Sequence, residues 1–122
     1  IWVGLATADI TNVDTLALGT KFVGFRFSTV AADGGFKPVN NDGTNQSVGT
    51  ALNTVTTDTA YKLRIRVDSA NARAYFSVND GAEQILSTNF PAITTEMGWV
   101  GELVVTTNSA RSMNVATAEV WW

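Results

Sequence analysis

Four basic side chains and one tyrosine stand at the spacing of a single strand face. Lys62, Arg64 and Arg66 recur at every second position, and Arg73 and Tyr75 do the same in the stretch that follows. Residues two apart on a strand share a face, so all five belong to the outward side of one hairpin. Such a patch could hold a carboxylate-rich surface or an anionic glycan through charge-assisted hydrogen bonds. The plainer alternative is a solvated sheet face balanced by Asp68 or nearby glutamates, which is what charge runs most often are. An Arg66 set opposite Arg73 would be a like-charge pair, costing roughly a few tenths of a kcal/mol unless an acid intervenes.

Three aspartates, Asp33, Asp42 and Asp80, each precede a glycine. They have the oxygens that calcium takes, but aspartate before glycine is above all a turn signal. Trp2, Trp99, Trp121 and Trp122 with Tyr75 could present flat rings to the C–H face of a sugar, or could fill a core or an interface, the commoner use of such rings. Trp121 and Trp122 are adjacent, so they cannot both face one core; Trp2, Trp121 and Trp122 are the expected interface residues.

Histidine and cysteine are absent from the sequence. Disulfides, thiolate nucleophiles, histidine-based triads and the usual zinc ligand sets go with them. Serines lack a base to activate them, and Lys21, Lys37 and Lys62 have no partner motif, so the expectation is a protein that is not an enzyme and carries no cofactor or metal. The net charge of −3 and a pI near 4.7 argue against a phosphate-binding nucleic-acid partner. No apolar run reaches the ~20 residues needed to span a bilayer, so no membrane partner is expected.

The elements that must carry these residues read as strands. The 122 residues are 45% hydrophobic and 16% charged, too apolar for a disordered chain and enough for one core. Tyr61 to Val67 alternates apolar and basic without a break, Ala72 to Val78 alternates again, and Asn79-Asp80-Gly81 is a turn: a hairpin. Pairing Val67 with Ala72 would set Ile65 against Ala74, Leu63 against Phe76, Tyr61 against Val78, Arg66 against Arg73 and Arg64 against Tyr75. Lys21 to Thr29 reads as a strand with Val23, Phe25 and Phe27 on one face and Phe22, Gly24 and Arg26 on the other. Phe36 to Asn40 reads as a short strand that Pro38 assigns to an edge or a bulge. Gln46 to Leu52 is a weaker strand, Thr54 to Thr59 a polar connection, and Gln84 to Ser87 a short strand. Met97 to Thr106 and Met113 to Trp122 close the domain. About eight strands at intervals of roughly 8 to 12 residues predict an all-β, two-sheet antiparallel sandwich.

Trp2 to Leu5, Val23-Gly24-Phe25-Arg26-Phe27-Ser28-Thr29, the Asp42-Gly43 turn, Tyr61-Lys62-Leu63-Arg64-Ile65, Tyr75 to Gly81 and Leu86-Ser87-Thr88-Asn89-Phe90-Pro91, taken in order, resemble the concanavalin A-like (laminin G-like) jelly-roll domains of bacteriophage virion proteins. The resemblance implies a curved jelly-roll sandwich that decorates a capsid, belongs to a tail or fibre, or binds glycans. It implies a virion location, a homo-oligomer with a trimer favoured, and contacts with other virion proteins. In such domains the segment like Val23–Thr29 follows several earlier strands. Residues 1–122 therefore read as a single β-sandwich domain that is either lacking N-terminal strands, as the C-terminal part of a longer chain, or a processed product. The paired carboxylates of glycosidases on this architecture have no counterpart here, nor does the calcium and manganese cluster of legume lectins. The two expectations are a non-enzymatic virion structural protein and, as the alternative, a carbohydrate-binding module or lectin-like receptor-binding domain.

Overall fold

The computed structural model describes residues 1–12, 14–92 and 94–102. Its described strands, in chain order, are β1 (Trp2–Ala6), β2 (Lys21–Arg26), β3 (Lys37–Asp42), β4 (Gln46–Val48), β5 (Leu63–Asp68), β6 (Arg73–Val78), β7 (Gln84–Leu86) and β8 (Gly98–Glu102). They form two antiparallel sheets, β4-β3-β2-β1-β8 and β5-β6-β7. The chain is an all-β, two-sheet antiparallel sandwich. The expected closing strand Met113 to Trp122 and the end of Met97 to Thr106 lie outside the described residues.

The alternation of β2 decides what meets what. Val23 and Phe25 point toward the smaller sheet and pack with Phe36, Ala74, Phe76 and Val78. The Phe25 and Phe76 rings meet edge to face at 5.4 Å across the two sheets, a geometry worth about 0.5–1.5 kcal/mol beyond the area buried. On the opposite side of the same strand, Phe22 joins Trp2, Ala6, Ile10 and Val39 in a second cluster. The larger sheet is thus covered on both faces. The connection between β1 and β2 folds back over the outside of the sheet, bringing Ile10 and Leu16 onto Phe22 and Trp2.

Two glycines make room for that outer cluster. Gly4 and Gly24 are cross-strand partners, and a Cβ on Gly24 would lie 2.4 Å from both the Val3 carbonyl oxygen and the tip of the Phe22 ring. The phenyl ring thus takes the space that two side chains would otherwise occupy, a common way of filling a glycine gap in a sheet.

Pro38 corrects an expectation. β3 is not an edge strand, because it pairs with β2 on one side and β4 on the other. The proline is accommodated because β4 ends at Val48, and Pro38 faces only the Gly49 amide, which donates to its carbonyl at 2.8 Å. No ladder donor is required at that point.

Candidate functional surface

The hairpin β5–β6 puts the predicted patch where the alternation places it, on the side away from the core, but its register differs by two residues from the expected one. Asp68 pairs with Arg73, Val67 with Ala74, Arg66 with Tyr75, Ile65 with Phe76, Arg64 with Ser77 and Leu63 with Val78. A shift of two keeps every side chain on its face. The cause is local: Asp68 accepts from the Asn71 amide at 3.2 Å and caps a 3-10 turn over Ser69–Asn71. Ala72 then reverses the chain at φ 49°. The connection therefore runs from Ser69 to Ala72 instead of from Asp68 to Asn71, so that β5 ends and β6 begins one residue later than expected.

That register removes the predicted clash between Arg66 and Arg73. Arg66 stacks over its cross-strand partner Tyr75, with the guanidinium carbon 3.6 Å from the ring centroid, and donates to Glu83 at 2.9 Å. The Glu83 hydrogen bond raises the Arg66 pKa above its ordinary value. Arg73 lies 5.4 Å from the same ring on another side and donates to Asp68 at 3.1 Å. The Asp68 carboxyl is held below the usual carboxylate range, chiefly by the Asn71 side-chain amide and also by Arg73. Lys62 meets Asp80 at 2.9 Å. Of the four predicted bases, Arg64 alone has no acidic partner among the described residues. The five residues are brought together as predicted, but three of the four charges are paired, Arg73 with Asp68 in the hairpin and Lys62 and Arg66 with Asp80 and Glu83 of the connection between β6 and β7.

Trp2 is a correction to the interface set. It is 0% exposed, with its ring edge to face on Phe22 at 5.3 Å and its indole N–H donating to the Asn12 carbonyl at 2.8 Å. The β1–β2 connection covers it, so it is not on the surface for another chain to meet. Trp121 and Trp122 lie outside the described residues. Trp99 is 44% exposed; it pairs with Leu5 on β1, on the side of the sheet that faces the sandwich interior.

The three aspartates act separately. Asp42 accepts from the Thr44 and Asn45 amides, both at 2.8 Å, closing its turn. Asp80 follows Asn79 in a turn where both adopt positive φ, 57° and 52°, the conformation that tight hairpin turns require. Asp33 is more than a turn residue. Its side chain is fully buried and accepts a bidentate pair from Arg26, Nε at 2.8 Å and Nη2 at 2.9 Å. Lys37 approaches it at 2.9 Å and the Ser28 amide at 3.0 Å. Burial alone would raise the Asp33 pKa, but the Arg26 and Lys37 hydrogen bonds and charges together outweigh it, so the carboxyl sits below its ordinary value. Arg26 and Lys37 are cross-strand partners on β2 and β3. Arg26 also donates to the Asp14 carbonyl, so one guanidinium ties the β2–β3 turn to the connection that covers Trp2.

Sequence reasoning named Arg26 only by its face and missed this centre. The available signal was an arginine directly after the apolar run Phe22–Phe25, seven residues before an aspartate, at a position where the outward face proved to be covered. Among the described residues, no group of three or more acidic, histidine or cysteine side chains is placed to hold a metal ion. Comparison with protein-family models, with curated proteins and with solved structures finds no match for this chain.

Proposed function

We propose that the chain is a non-enzymatic structural domain of a virion, a capsid decoration or a tail or fibre domain, acting through surface contacts in a homo-oligomer. The observation that carries this is where the ionisable side chains go. Arg26, Asp33 and Lys37 are joined under the outer connection, and Lys62, Arg66 and Arg73 are tied to Asp80, Glu83 and Asp68. Polar chemistry spent in this way fixes shape, which is what a scaffold of repeated contacts needs. The resemblance to concanavalin A-like virion domains supplies the setting and favours a trimer among other virion proteins.

A second reading is favoured by Trp99, a partly exposed indole on the sandwich-facing side of β8: a carbohydrate-binding module that stacks a sugar on that ring. The test is the mass and assembly state of the native protein, by mass spectrometry of its source followed by light scattering, with the same sample applied to a glycan array. Multimers or particle-bound chain without sugar binding support the structural domain. A monomer that binds a glycan, and loses it in Trp99→Ala, replaces that reading with the second.

A further inference from the structure

The interior of the sandwich is apolar at β2 and β6 but changes character at one side, where β3 and β4 approach β7. Asn40 of β3 is 0% exposed. Its amide nitrogen donates to two backbone carbonyls of the other sheet's chain, Leu86 at 3.2 Å and Thr88 at 3.4 Å. That double donation fixes which end of the amide is nitrogen, because the reversed amide would set an oxygen against two carbonyls. The amide oxygen, Oδ1, then has no donor among the described residues. Gln84 of β7 repeats the situation. Its nitrogen donates to the Thr50 hydroxyl at 2.6 Å, and its buried Oε1 is likewise without a donor among the described residues. Reversing Gln84 would let Thr50 donate, but would bury an amide nitrogen with no acceptor in place of an oxygen with no donor.

Gly49 shows how closely that oxygen is held, since a Cβ there would lie 2.2 Å from Gln84 Oε1. Around the same seam, Ser47 is the cross-strand partner of Asn40 and accepts from the Asn89 side chain at 2.8 Å. Five amide or hydroxyl side chains, Asn40, Ser47, Thr50, Gln84 and Asn89, thus line one side of an otherwise apolar sandwich. A buried polar atom without a partner costs about 1–3 kcal/mol, and two such costs in one seam call for a donor that the described residues do not supply.

We propose that this seam is a built hydration site, in which internal water donates hydrogen bonds to Asn40 Oδ1 and Gln84 Oε1. The ligand must be a donor, because both orphaned atoms are acceptors. It must be small, because the surrounding side chains are already engaged with one another. It must be neutral, because no described charged side chain hydrogen-bonds into the seam. Water meets all three conditions and is the usual occupant of polar interior sites. The site goes beyond the structural role proposed above and does not depend on it. It makes the junction of the two sheets on this side a hydrogen-bonded latch rather than a greasy contact.

The test is a crystal structure of the unmodified protein at a resolution that shows ordered solvent, together with water-oxygen magnetic relaxation dispersion in solution. The expected result is solvent density within hydrogen-bonding distance of both oxygens, and a long-lived water signal that is lost in the folded double variant Asn40→Leu, Gln84→Met. Direct protein donors to either oxygen, a metal ion at that place, or an undiminished long-lived signal in the double variant would each overturn the proposal. If the double variant does not fold, the crystal structure decides alone.

Discussion

At Asp33 a single carboxylate answers for two cations and a backbone amide. Removing it leaves Arg26 buried without a counter-charge, so Asp33→Ala is expected to cost about 3–5 kcal/mol, read from urea denaturation at neutral pH. The same residue sets the acid response. A carboxyl whose folded pKa is depressed contributes stability above its unfolded pKa and loses it as pH falls through the folded value. Asp33, Asp42 and Asp68 are all shifted in that direction. Thermal melts should therefore be flat near neutrality and fall on the acid side of about pH 4, and the fall should be shallower in Asp33→Asn. Gly24 offers a test of the opposite kind, in which an atom is added. Gly24→Ala places a methyl group against Phe22 and the Val3 carbonyl and is expected to cost about 1–3 kcal/mol by overpacking, measured in the same denaturation experiment.

At the scale of the element, the β5–β6 hairpin depends on Asp68 both as the cap of its turn and as the partner of Arg73. Asp68→Ala should lower stability, because the turn loses its cap and Arg73 its partner; urea denaturation reads the loss. Proton contacts between Ile65 and Phe76 by NMR would show whether the register survives, as the common hydrophobic face predicts. Arg66→Ser with Arg73→Ser tests the outer face. Because both guanidiniums are already paired, Arg73 with Asp68 and Arg66 with Glu83, occupancy on particles or on an anionic glycan surface is expected to stay unchanged; a clear fall in binding would restore the patch as an attachment site. Faces were legible in the sequence and registers were not. Alternation in Lys62–Val67 and in Phe22–Phe27 fixes sides, because a strand has only two. The pairing partner, by contrast, is set by the turn, and nothing in the alternation reveals that Asp68 caps the turn and Ala72 takes a left-handed conformation. Trp2 and Arg26 were misplaced or passed over for a related reason. A connection that folds back on its own sheet has no periodicity, so the burial of an outward face cannot be read from strand pattern alone.

For the whole molecule, the two sheets are unequal, and the larger one is sealed outside by a piece of irregular chain tied down through Asn12, Asp14 and Leu16. Its side-chain fastenings at these three residues are one indole N–H, one arginine and one glutamine, so the seal is complete only after β1, β2 and β4 are in place. Raising ionic strength should change stability little, because the Arg26–Asp33 pair lies where salt screens weakly and the exposed pairs contribute little; melts from low to high salt check this. Pro38 has a consequence at this scale. Past Val48 the margin of the larger sheet offers no amide hydrogen at Pro38, and its carbonyl is already taken by Gly49. An incoming chain could template on only the three residues of β4, too short a stretch to seed a growing ribbon. Copies crowded side by side are therefore discouraged from fusing into cross-β aggregates along that margin, whatever arrangement their faces adopt.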